Sequence, residues 1–202
     1  MFELKQIPNV ITICRILMIF PTLWLLYFDQ YKDALVLLII AGLSDALDGY
    51  LARAFGWKTR LGSIMDPIAD KFLIASAFLV LTVQGAVPIW VTAIILSRDL
   101  IIFSGAIAYR FLYKDLEIAP SMLSKVNTAM QIFGLIFLVL SLSGYPYFVA
   151  DFEVHLTYYL FYLLASLGLI SGIDYVIVWS RKAFSHASSD QRYGEQIKDR
   201  SE

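Results

Sequence analysis

The chain has 202 residues, of which 59% are hydrophobic and 16% charged, with a formal net charge of −1. A soluble domain is usually about 45–50% apolar, so the excess needs a lipid explanation, and the near-neutral balance gives no support to nucleic-acid binding, which favours a basic surface. One cysteine, Cys14, excludes an intrachain disulfide, and two histidines, His155 and His186, lie far from each other and offer no zinc ligand set.

In chain order, Phe2, Leu4 and Ile7 stand between polar residues and predict a short interfacial helix. Six apolar stretches follow, at 10–28, 34–51, 62–83, 88–111, 121–141 and 156–180. Each falls near the roughly 17–25 residues that a bilayer crossing needs. The first reads as a retained span, because only Lys5 precedes it and no small-residue cleavage site follows. Gly85 with Pro88, then Pro120, then Gly144 with Pro146 mark turns between later stretches. The expectation is an all-α integral membrane domain over 1–181 with six transmembrane helices, followed by a loose polar tail over 182–202.

Basic residues collect at one set of ends: Lys5, then Arg53, Lys58 and Arg60, then Arg110 and Lys114, then Arg181 and Lys182. The other ends carry only Lys32, beside Asp29, Asp33, Asp151 and Glu153. Basic loops stay cytoplasmic, so both termini are expected inside.

Carboxylates within membrane spans are expensive and usually functional. Asp45 and Asp48 are three residues apart, and Asp66 and Asp70 are four apart, so each pair shares a helix face. Both pairs lie near the cytoplasmic ends of adjacent antiparallel spans, and Asp70 is about 12 Å into its own at 1.5 Å per residue. Four converging carboxylates need counter-charge. An all-oxygen set suits hard cations, Mg²⁺ or Mn²⁺ and also Ca²⁺, and the number of acids suits two ions. The structural alternative pairs these acids with Lys58, Arg60 or Lys71. Against it, Gly49, Ala52 and Gly62 are small residues that permit close approach, and Arg53 offers a fork for phosphate. The combination points to phosphoryl chemistry. An ion-coupled transporter would instead spread its acids along a path and show repeated halves, whereas here the acids cluster at one depth.

The segment reads Asp45-Ala-Leu-Asp48-Gly49-Tyr-Leu-Ala52-Arg53, then eight residues, Gly62, three residues, Asp66, three residues, Asp70. It resembles the CDP-alcohol phosphatidyltransferase signature at every fixed position. The resemblance implies a transfer of the phosphatidyl group of CDP-diacylglycerol to an alcohol, with release of CMP. It implies metal ligation by Asp45, Asp48, Asp66 and Asp70, with Asp70 also the general base. It further implies donor binding at Gly49, Ala52, Arg53, Thr59 and Gly62, with Asn9 and Thr12 helping to close the nucleotide pocket. A homodimer is a further expectation from the resemblance.

For the acceptor, Ser97-Arg98-Asp99 and Ser124-Lys125-Val-Asn127-Thr128-Ala are more similar to the cardiolipin synthases of the family, which use phosphatidylglycerol. Phosphatidylglycerophosphate synthases share the layout but typically carry Gly-Lys-Val-Lys-Thr in the fifth span. Arg98 and Lys125 are the candidate ligands of an acceptor phosphate, or else structural ion pairs, Arg98 with Asp99 and Lys125 with the acidic cluster. Asp174 in the sixth span is assigned to Arg15 in the first.

Overall fold

Backbone N–H and C=O groups in an apolar surround must be satisfied within their own segment, which makes long apolar runs helical. The computed structural model describes residues 7–55, 62–112, 121–144 and 150–199, with side chains chiefly within 13–45, 69–105, 121–144 and 155–180. Its helices are α1 (Ile7–Tyr27), α2 (Tyr31–Ala54), α3 (Gly62–Val83), α4 (Ile89–Leu112), α5 (Met122–Leu142) and α6 (Ala150–Asp199). All six predicted stretches are therefore helices.

Specific turn chemistry ends and restarts them. Between α1 and α2, Asp29 takes a left-handed conformation with φ 59°, and the Gln30 N–H donates to the Leu25 carbonyl at 2.9 Å. Between α3 and α4, Gly85 has φ +79°, a conformation open to glycine because it has no Cβ. The Gln84 amide ties the two turns together, donating to the Leu26 carbonyl at 2.7 Å and to Asp29 Oδ1 at 2.8 Å. Ser121 caps α5, its hydroxyl accepting from the Ser124 N–H at 3.2 Å.

The packing runs α1 against α2 and α3, α2 against α5, α3 against α4, and α6 against α4 and α5. α5 and α6 approach closely at Gly134, where an added Cβ would lie 2.9 Å from Leu164 Cδ1. An apolar core of Leu26, Phe78, Leu81, Val91, Val139 and Leu164 fills the end near the Gln84 clamp. Polarity is inverted relative to a water-soluble bundle. Arg15, Arg98, Asn127 and Gln131 are buried, while Phe20, Val83, Ile89, Leu100 and Tyr159 face outward. Exposed apolar surface on this scale marks contact with something other than water.

Two described helical stretches, Met122–Leu142 and His155–Ser180, are long and apolar enough to cross a membrane, and Ile13–Tyr27 is a shorter apolar run. α2, α3 and α4 carry Asp45, Asp70, Lys71, Arg98 and Asp99, and charge is what lowers the apolarity of such helices. Residues 182–199 continue α6 without a break, so the expected loose tail is helical to Asp199. At 50 residues α6 is about 75 Å long, well beyond a bilayer's hydrocarbon thickness of roughly 30 Å. The interfacial helix predicted for the first residues falls mostly on 1–6, outside the described residues.

Candidate active site

Two charged clusters occupy the half of the bundle opposite the Gln84 clamp. In the first, Arg15 from α1 lies between α2 and α3. Its Nη1 is 2.8 Å from Asp45 Oδ1 and 3.1 Å from Asp70 Oδ1, so the two carboxylates face one another across one nitrogen. The Arg15 side chain is only 1% exposed, while Asp45 and Asp70 are 45% and 33% exposed. The cation is thus sealed in the protein and the acids remain open. They open onto a cavity of about 260 Å³ whose other walls are apolar, among them Leu38, Leu73, Ile132 and Leu135. Among the described residues, one guanidinium against two carboxylates leaves net negative charge beside low-dielectric walls, where charge acts strongly. The donors are hard oxygens, a set that fits Mg²⁺ or Mn²⁺.

The second cluster joins α3, α4, α5 and α6. Asp99 Oδ1 accepts from Lys71 Nζ at 2.5 Å and from Arg98 Nη1 at 2.6 Å. Arg98 Nη2 donates to Ser124 Oγ at 2.7 Å and to Ser171 Oγ at 2.9 Å. Arg98 and Ser171 are buried, and the Arg98 stem packs along Gly172. A cation held by a carboxylate and two hydroxyls is bonded as a bridge between helices. The alternative pairing of Arg98 with Asp99 is therefore the one formed. Lys125 is exposed and makes no ion pair among the described residues.

The assignment of Asp174 to Arg15 is corrected. Arg15 meets Asp45 and Asp70, and α6 packs against α4 and α5 rather than α1. Lys71, considered as a partner of the acidic motif, turns to Asp99 instead. The structure brings Asp45 and Asp70 together. The side chains of Asn9, Thr12, Asp48, Gly49, Ala52, Arg53, Gly62 and Asp66 lie outside the described residues, as does the whole of Thr59. Among the described residues no group of three or more metal-ligating side chains is gathered.

Sequence reasoning missed the place of Arg15 at the acids. The available signal was an arginine at the middle of an apolar run, which demands a carboxylate partner.

The family model of the CDP-alcohol phosphatidyltransferases matches residues 5–174. The chain belongs to the CDP-alcohol phosphatidyltransferase family, whose members are generally dependent on divalent metal. It is 34% identical over 161 residues to a cardiolipin synthase (CMP-forming) of Rattus norvegicus, covering 72% of this chain and 52% of the relative. It is 31% identical over 176 residues to a CDP-diacylglycerol–glycerol-3-phosphate 3-phosphatidyltransferase of Rickettsia typhi, covering 85% of this chain and 96% of the relative. It is 34% identical over 181 residues to a probable phosphatidylglycerophosphate synthase of Mycobacterium tuberculosis, covering 86% and 81%. The chain spans about half the length of the rat and human cardiolipin synthases that it matches.

Proposed function

We propose that this chain is a membrane phosphatidyltransferase that moves the phosphatidyl group of CDP-diacylglycerol onto phosphatidylglycerol and releases CMP. One observation carries the reading: Asp45 and Asp70, both in the family signature, converge on buried Arg15 at the wall of an otherwise apolar cavity. A charged floor under apolar walls suits a donor whose pyrophosphate must meet charge while its acyl chains stay in lipid.

Asp45, Asp48, Asp66 and Asp70 would hold two Mg²⁺ or Mn²⁺ ions. When bound, these ions neutralise the donor pyrophosphate and make its phosphorus easier to attack. Gly49, Ala52, Arg53, Thr59 and Gly62, with Asn9 and Thr12, would seat the CDP portion. Asp70 takes the proton of the acceptor hydroxyl. The new bond forms between that oxygen and the phosphorus bearing the diacylglycerol, and the bond from this phosphorus to the CMP oxygen breaks. Arg15, hydrogen bonded to Asp70 at 3.1 Å, restrains the orientation of the base.

The choice of acceptor rests on how the cations are used. Arg98 and Lys71 are both committed to Asp99. Of the two candidates for an acceptor phosphate, only Lys125 is exposed and without an ion pair among the described residues. A small dianion such as glycerol-3-phosphate needs several free cations, whereas a lipid phosphodiester needs fewer and wants apolar access. The second reading, glycerol-3-phosphate, is favoured by the near-complete length match to the Rickettsia typhi transferase.

The membrane reading is six spans with both termini and the acids on the cytoplasmic side. α1 to α5 are each 21 to 24 residues long, close to the roughly 20 that span about 30 Å of hydrocarbon. Their outward side chains are largely apolar.

The test is CMP release from CDP-diacylglycerol by the purified protein in detergent with Mg²⁺ or Mn²⁺. Phosphatidylglycerol and glycerol-3-phosphate are offered separately, with Asp70→Asn as control. Release with phosphatidylglycerol alone, lost in the variant, supports the reading. Release with glycerol-3-phosphate alone keeps the family chemistry and overturns the acceptor.

A further inference from the structure

Asn127 and Gln131 stand one turn apart on α5 and are 1% and 0% exposed. Nitrogen and oxygen of both side-chain amides have no hydrogen-bond partner among the described residues. A buried amide without a partner costs roughly 1–3 kcal/mol by mutational comparison, so two such amides demand an explanation. Their position supplies one. Positions 124, 127, 131 and 135 recur at intervals of three and four and so follow one face of α5. At the amino-terminal end of this stripe Ser124 is held by Arg98. At its other end Leu135 lines the cavity that contains Asp45 and Asp70. The two amides stand on this face between Ser124, which Arg98 holds, and Leu135, which lines that cavity.

We infer that Asn127 and Gln131 bind the free hydroxyl of the acceptor's glycerol headgroup, the one next to the hydroxyl that attacks. The inference deepens the proposed function and rests on it. An amide is neutral, with two donors and an acceptor, and so matches a hydroxyl, which both donates and accepts. It is a poor match for a phosphate dianion, which wants charge, or for an acyl chain, which offers no hydrogen bond. Phosphatidylglycerol and glycerol-3-phosphate both present a secondary hydroxyl beside the reacting primary one. The site therefore reads the glycerol unit that the two acceptors share, and leaves the choice between them to the surrounding charge.

The experiment uses the full chain in detergent with CDP-diacylglycerol and Mg²⁺. It compares each glycerol acceptor with the analogue lacking the secondary hydroxyl: phosphatidylglycerol with phosphatidyl-1,3-propanediol, and glycerol-3-phosphate with 3-hydroxypropyl phosphate. Whichever pair the enzyme turns over, the wild type is expected to favour the glycerol form by about tenfold or more in kcat/KM, the worth of one well-made hydrogen bond to a buried group. Asn127→Leu and Gln131→Leu should remove most of that preference while leaving the KM for CDP-diacylglycerol within about twofold. A wild type that uses both members of the pair equally overturns the inference without any variant. So do variants that keep the preference and change only the thermal midpoint, which would make the amides structural or water-bridged. A wild type active with glycerol-3-phosphate but not with phosphatidylglycerol defeats the acceptor assignment alone, because the second pair still tests the amides.

Discussion

The two charged clusters are built from the same residue types and differ in balance. Around Asp99, two cations meet one carboxylate, and the Arg98 guanidinium is tied to hydroxyls of α5 and α6. Around Arg15, among the described residues, one cation meets two carboxylates that stay partly exposed to a cavity. The first arrangement is closed in the sense that the Arg98 Nη atoms and Lys71 Nζ are spent on joining four helices. The second is open: its surplus is negative and faces the space a ligand can enter. Buried charge is therefore not by itself a sign of catalysis in this bundle; partly exposed carboxylates lining a cavity are.

The largest expected effect breaks the open cluster at its base. Asp70→Asn removes the proton acceptor while conserving shape, and CMP release should fall by at least about 10²–10⁴-fold, the usual worth of general base catalysis. Because Asp70 is also assigned as a metal ligand, the loss should sit at the upper end of that range. A variant within about tenfold of wild type would remove Asp70 from the chemistry. Chelation with EDTA should stop turnover to a comparable extent, and excess Mg²⁺ or Mn²⁺ should restore it. The closed cluster lacks a negative surplus and should be indifferent, so the helical circular dichroism is expected to persist through chelation.

Arg15→Gln tests the same cluster through stability. It removes the Arg15 charge between Asp45 and Asp70, and removing one partner of a buried ion pair costs about 3–5 kcal/mol. The two acids are partly exposed, so solvent screening should hold the loss toward the low end or below it. The informative measurement is the thermal midpoint with and without Mg²⁺. Added metal should recover more of the loss in Arg15→Gln than it adds to the wild type, because the ion then supplies the missing counter-charge. Equal metal responses in the two proteins would separate Arg15 from the metal site.

Much of this is legible in the sequence. The six helices follow the apolar runs closely, since in an apolar surround a long hydrophobic segment has few alternatives to a helix. Asp45 and Asp70 were legible because carboxylates at fixed helical spacing are anomalous in such runs. Pairings between helices were harder. Arg15 was assigned to Asp174, since both are ionisable groups inside spans, yet sequence does not say which helices are neighbours. α1 packs on α2 and α3, and that decided for Asp45 and Asp70. The tail was misjudged for another reason. Polar composition argues against a buried face but not against a helix, and α6 carries on to Asp199.

A smaller effect sharpens the contrast from the closed side. Arg98→Met should cost about 1–3 kcal/mol, the price of leaving hydrogen-bonded groups buried and unpaired, with Asp99 keeping Lys71 as its cation. The acceptor KM should move little, since the guanidinium already spends its Nη atoms on protein partners. A rise of tenfold or more in acceptor KM, at unchanged KM for CDP-diacylglycerol, would make Arg98 an acceptor ligand and would collapse the distinction between the two clusters.

The smallest effect belongs to the opposite end of the bundle, where neutral donors, Gln84 and Tyr31, meet Asp29. Tyr31, ahead of the apolar run of α2, donates to Asp29 Oδ1 at 2.7 Å. Burial first, and then the hydrogen bond and charge of Asp29, push its hydroxyl up to about 12 from an ordinary 10. The folded state thus holds this proton more tightly than the unfolded state. Its contribution to stability is fully present below pH 10 and is lost as the pH rises toward 12. Tyr31→Phe has no such proton to lose, so its thermal midpoint should fall less than that of the wild type between pH 9 and pH 11. The difference is expected to be at most a few degrees, because Tyr31 is only half-buried. Identical alkaline slopes would mean that the Asp29–Tyr31 contact is not maintained in solution. The turns would then be tied by the Gln84 clamp, whose amide still meets Asp29.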